Sequence, residues 1–177
     1  MTIASGSNQR STGAADYFRY VLKPNKEAFF GTSSTFASAL NLATSLYHFH
    51  EWLFEEFKLQ LDAEFGTTFG GKGAFWQAVE AENTLFGYIR DVTNASKHVK
   101  IDRRASTGMT HIANTYIITI GSGGYGVGSG YGQTFYGGGP KVVFDDSGSQ
   151  IGFDNCASAL FTHWESLLTK LTSPGSP

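Results

Sequence analysis

The chain has 177 residues and a mass of 19.2 kDa, with 41% hydrophobic and 16% charged residues, which is the size and make-up of one globular domain and excludes a disordered chain. Thirteen Lys and Arg against 15 Asp and Glu leave a formal charge of −2, so whole-molecule attraction to nucleic acid or anionic lipid is not expected, and no DNA partner is expected. The single Cys156 excludes an internal disulfide and a cysteine-based zinc site and suits a reducing cytoplasm; no apolar run reaches the length of a membrane span, and the polar residues 1–13 lack secretory character.

Residues 1–13 are rich in Ser, Thr and Gly without periodicity and read as a flexible arm. From Asp16 to Phe30, Tyr17, Phe18, Tyr20, Val21 and Leu22 are followed by Pro24, which predicts no more than a short helix and a turn. After Thr32, Ser33 and Ser34, which are suited to cap a helix, an amphipathic helix runs to about Leu61. Ala39, Ala43, Leu46, His50, Leu53 and Phe57 fall on its narrow face, flanked by Leu40, Tyr47, Phe54 and Leu61. A glycine-bearing break precedes a short connecting helix over residues 74–82. Asn83 or Thr84 can then cap a helix whose apolar face is Leu85, Tyr88, Ile89, Val92, Ala95, Ser96 and Val99, ending near residues 98–101. Two helices joined this way are expected to lie antiparallel. If the first ends near Asp62 and the second starts near Thr84, His48 and His98 stand at one level, each about 21 Å from the connection at 1.5 Å per residue.

Beyond Arg103 and Arg104 the period changes to two over residues 112–120, which predicts a strand. Residues 121–139 hold ten glycines in nineteen positions, interleaved with Tyr125, Tyr131, Phe135 and Tyr136. The string Gly121-Ser122-Gly123-Gly124-Tyr125-Gly126 fits G-x-G-x-x-G, but more glycine follows where a dinucleotide site needs a helix N-terminus, so no nucleotide cofactor is expected. Residues 141–145 and 150–153 flank Asp146-Ser147-Gly148 as a hairpin, and Asp154 can cap a last helix with the stripe Cys156, Leu160, His163, Trp164, Leu167, Leu168 and Leu171. The whole reads as an α+β fold. A single domain over 14–172 holds an antiparallel helical core at 34–101, a small antiparallel sheet within 111–153 and a C-terminal helix at 155–171, followed by a frayed tail at 173–177.

Three groups of residues carry candidate chemistry. His48 and His50 diverge by about 200° on a helix, so they do not make a ligand pair, and no metal is expected. His50 reads as a core histidine bonded to a group such as the Ser96 hydroxyl, while His48 and Trp52, at i and i+4, share the other face as candidate binding residues. In the segment from Ile89 to His98, Arg90, Asn94 and Lys97 project together, either as a solvated face or as part of a site. His98 is the candidate acid/base, Asn94 can orient it or the substrate, and Arg90 or Lys97 can hold phosphate; Lys100, Arg103 and Arg104 extend the cationic patch.

This helix resembles the signature helix of HEPN domains, small helical bundles of prokaryotic toxin–antitoxin and defence systems. Asn94 and His98 match the Asn and His of their Arg, polar residue and His motif, whereas Thr93 stands at the Arg position and Arg90 lies one turn earlier. The chain is also similar to uncharacterised bacterial proteins that combine H-x-x-x-W, here His48 to Trp52, with N-x-x-K-H, here Asn94 to His98. The resemblance spans residues 34–100. It implies a prokaryotic or phage-associated HEPN-like interaction module, a homodimer with an RNA or protein partner, whose nuclease activity is degenerate or absent. The rival readings are a metal-independent endoribonuclease using His98, and a small-ligand-binding domain seated between the helices and the Gly/Tyr-rich segment.

Overall fold

The computed structural model describes residues 13–31, 35–97, 119–121, 141–146 and 149–173. The chain starts with α1 (Ala14–Tyr17), passes through a π-helical turn (Phe18–Leu22) and continues as α2 (Lys23–Phe30). The expected turn at Pro24 is therefore a helix carried through. A proline ring lacks an N–H and crowds the carbonyl four residues back, and the widened turn directly before Pro24 is where the helix absorbs that crowding.

Next come α3 (Phe36–Glu64), α4 (Lys72–Glu82) and α5 (Leu85–Lys97). Thr35, not Thr32 to Ser34, caps α3: its hydroxyl accepts from the Ser38 N–H, and the Ser38 hydroxyl accepts from the Thr35 N–H in return. Asn83 Oδ1 accepts from the Leu85 N–H at 3.1 Å at the start of α5, as expected. Among the described residues three short strands follow: β1 (Thr119–Gly121), β2 (Lys141–Asp146) and β3 (Ser149–Gly152). They pair antiparallel in the order β1-β2-β3, with Thr119 opposite Val143 and Val143 opposite Gly152. The last helix, α6 (Phe153–Thr172), leaves β3 directly; Gly152 stands at its cap, and Asp154 lies in its first turn without capping it.

Among the described residues this is a mainly helical protein, which corrects the α+β expectation. Among the residues whose burial is described, the buried side chains come from helices and from Phe69 in the link before α4, so the described core is helix packed on helix. The rest of the predicted 112–120 strand and residues 122–139 lie outside the described residues. No helix among the described residues is long and apolar enough to cross a membrane.

Helix α3 is the axis. Antiparallel to it, the α1–α2 segment sets Tyr17 on Trp52 (ring centres 5.0 Å apart) and Phe18 on Phe49 (5.5 Å), and the Ala14 N–H is taken by Glu56 Oε2 at 2.5 Å. Helix α6 runs parallel to α3, with Trp164 Nε1 donating to the Leu46 carbonyl at 2.9 Å and Lys170 reaching Glu64. Cover on several sides widens the buried stripe of α3 beyond the predicted face: Leu42 and Phe49 are buried with Ala39, Ala43, Leu46 and Leu53, while Phe57 is only half-buried. Trp164 sits at the centre, 5.8 Å from Phe49 and 6.0 Å from Phe86.

The expected register between the two long helices is not the observed one. Phe86, in the first turn of α5, lies 5.8 Å from Tyr47 and 6.0 Å from His50. The level of His48 is thus met by the start of α5, about 16 Å of helix before Lys97 at 1.5 Å per residue. The reason is the link: Lys72, at the start of α4, already reaches back to Glu51 at 2.8 Å, so α4 begins beside the middle of α3 rather than beyond its end.

Candidate functional site

The candidate residues divide between α5 and the face of α3 that carries His48. On α5, Phe86, Ile89, Arg90, Asp91, Val92 and Thr93 are all buried, with Arg90 5% and Asp91 2% exposed. Arg90 therefore does not stand on a solvated polar face, which corrects that reading of it. Helix α4 covers Arg90. Its Nη1 donates to Glu80 Oε2 at 3.0 Å, its Nη2 and Nε donate to Asp91 Oδ1 at 2.9 and 3.2 Å, and its guanidinium lies 4.6 Å from the Trp76 ring centre. Two carboxylates and an aromatic face therefore hold one guanidinium in a water-poor site, which leaves its charge matched before any phosphate arrives.

Thr93, at the position of the motif Arg, is fully buried and its hydroxyl donates to the Ile89 carbonyl at 2.9 Å. Asn94 is half-buried on the same helix, and Lys97 is the last described residue of α5. His98, Lys100, Arg103 and Arg104 lie outside the described residues. The structure thus brings Arg90 together with Glu80, Asp91 and Trp76. None of these three partners was singled out from the sequence, because Glu80 and Trp76 reach Arg90 only through the packing of α4 on α5. Asp91 had a local signal, since it adjoins Arg90 in the chain.

On α3, His48 Nδ1 is 3.2 Å from Glu51 Oε1, and Lys72 Nζ donates to the other oxygen of Glu51 at 2.8 Å. Burial pulls the Glu51 carboxyl up, but the hydrogen bonds from Lys72 and His48 outweigh it and hold the group below its ordinary value. Trp52 shares this face, as the i, i+4 spacing predicts, and is stacked against Tyr17. Burial, with the Glu51 charge adding to it, pushes the Tyr17 phenol up to about 12, so it stays a neutral hydroxyl. The His48–Glu51 contact was readable as i, i+3 spacing, whereas the approach of Lys72 from twenty-one positions away was not.

His50 is 1% exposed, a core histidine as expected, but its contact is local: Nδ1–H donates to the Tyr47 carbonyl at 2.5 Å rather than to Ser96. Burial lowers its pKa, which keeps the ring neutral beside Phe86. Among the described residues no group of three or more His, Cys, Asp or Glu stands close enough to hold a metal ion.

No family model, curated protein or solved structure matches this chain.

Proposed function

We propose that the chain is a HEPN-like interaction module of the cytoplasm, acting as a homodimer on an RNA or protein partner, and that it is not a nuclease built on Arg90. The observation that carries this reading is the engagement of Arg90 by Glu80 and Asp91. A ribonuclease needs a cation free to meet the charge that develops on phosphorus, and a phosphate drawn to Arg90 would have to displace carboxylates already at hydrogen-bond distance. Thr93, closed onto its own helix, supplies no cation in its place. The free, buried Cys156 agrees with a reducing compartment.

The test is incubation of the purified protein with structured and single-stranded RNA in the presence of chelator, followed by gel analysis, beside a gel-shift assay of the same RNAs and a light-scattering mass. Intact RNA and a dimer mass are expected. Cleavage that persists in chelator and disappears in His98→Ala would establish the endoribonuclease instead and overturn the proposal.

A further inference from the structure

Most cationic side chains with a described placement are already matched by a carboxylate: Lys58, Lys72, Arg90 and Lys170 each meet one at 3.0 Å or closer. The run from α1 through the π-turn to α2 differs. Arg19 and Glu27 are both exposed, and neither side chain has a hydrogen bond or ion pair among the described residues. Lys26 has no ion pair there either, its Nζ lying over the Phe161 ring at 3.8 Å, and Lys23 reaches Glu165 of α6 only at 3.7 Å. The same run holds two of the three large apolar residues that stand exposed among the described residues, Tyr20 at 42% and Phe30 at 43%.

Unmatched charges of both signs, with exposed rings beside them, fit a partner that carries both signs as well. A polyanion or an anionic bilayer does not, because Asp16, Glu27 and Glu165 offset Arg19, Lys23 and Lys26 and leave this face without net charge. A second copy of the same face does. We propose that two copies of the chain dimerise through this face, their α1–α2 runs antiparallel about a two-fold axis at Lys23. The inference rests on the homodimer reading above and names its contact surface. In a two-fold contact residue i meets residue j and j meets i. Pairing centred on Lys23 sets Arg19, four residues before it, opposite Glu27, four residues after it, so two ion pairs form at once. Lys23 faces its own image at the axis, and Glu165 of its own copy stands beside each to offset it. Tyr20 then lies about one turn from Phe30 of the second copy, and both lose water together. One helical run from each copy makes a small interface, so a dissociation constant on the order of 10 µM is expected.

The experiment is sedimentation equilibrium of the whole protein from about 2 to 200 µM, with circular dichroism at 222 nm to verify that each variant is folded. The parent is expected to pass from monomer to dimer across this range. Arg19→Glu and Glu27→Arg each set like charges opposite one another and are expected to weaken dimerisation at least tenfold, whereas Glu55→Arg on the exposed surface of α3 leaves it unchanged. Both positions are exposed, so the substitutions leave the fold in place. The double variant Arg19→Glu/Glu27→Arg, which exchanges the two charges, is expected to recover the parent's affinity, as is an equimolar mixture of the two single variants. A parent dimer indifferent to both single variants, or a double variant no tighter than the singles, would overturn this face and leave the homodimer reading standing. A parent that stays monomeric throughout would overturn both.

Discussion

Replacing Arg90 by Met tests the central feature of the α4–α5 contact. The variant keeps an unbranched apolar stem against Trp76 but removes the guanidinium, and the consequences differ for the two carboxylates. Asp91, with its side chain 3% exposed, is left as a buried charge without the two guanidinium hydrogen bonds, whereas Glu80, at 17%, can recover water more readily. Stranding a buried charge costs about 3–5 kcal/mol, while the exposed part of the Glu80 pair contributes about 0–1 kcal/mol. A total near 4 kcal/mol corresponds to a fall in Tm of about 10 °C for a chain of this length. Urea unfolding followed by circular dichroism at 222 nm measures it, with an unchanged m-value as the sign that only stability moved. The double variant Arg90→Met/Asp91→Asn is expected to regain about half the loss, because the stranded charge is gone. A single variant within about 1 kcal/mol of the parent, or a double variant less stable than the single one, would refute the assignment of Arg90 to a buried ion network.

Glu51 has a pKa held below its ordinary 4.5 in the folded chain, so its ion pairs stabilise the protein above that pH and the contribution is lost as pH falls through the folded value. The stability gap between the parent and Glu51→Gln in urea is therefore expected to close between about pH 5 and pH 3, and a gap that stays constant with pH would contradict this. His50 gives the same sign through its neutral form: its folded pKa lies below the ordinary 6.5, the unfolded chain binds the extra proton, and stability drops as pH falls below that value. The slope of unfolding free energy between pH 5 and 7 is expected to be positive and to flatten in His50→Gln; an equal slope in the variant would place the linkage elsewhere. Burial, with Asp154 adding to it, pushes the Cys156 thiol up to about 12, so labelling by an aromatic disulfide reagent at pH 8 is expected only after unfolding in urea. Rapid labelling of the native protein would show that Cys156 is not buried.

The helices were legible because their signals are local. Apolar residues three and four apart in α3, α5 and α6, and a cap such as Asn83, act within a turn or two and depend on nothing distant. Thr35 escaped because neighbouring hydroxyls offer equivalent caps, and only its exchange of hydrogen bonds with Ser38 distinguishes it. Pro24 was read as a stop because a proline breaks an α-helix, yet a single π-turn removes the clash and lets helix continue.

What tertiary structure alone decided is which polar residues face water. Helical spacing puts Arg90, Asn94 and Lys97 on one side of α5, but whether that side is solvated depends on α4. Glu80 and Trp76 arrive there because Lys72 meets Glu51 halfway along α3 and Phe86 meets Tyr47, and no local rule encodes that offset. Periodicity sets the direction in which a side chain leaves its helix. Packing sets what it meets, and for Arg90 that difference separates an open phosphate contact from a buried ion network.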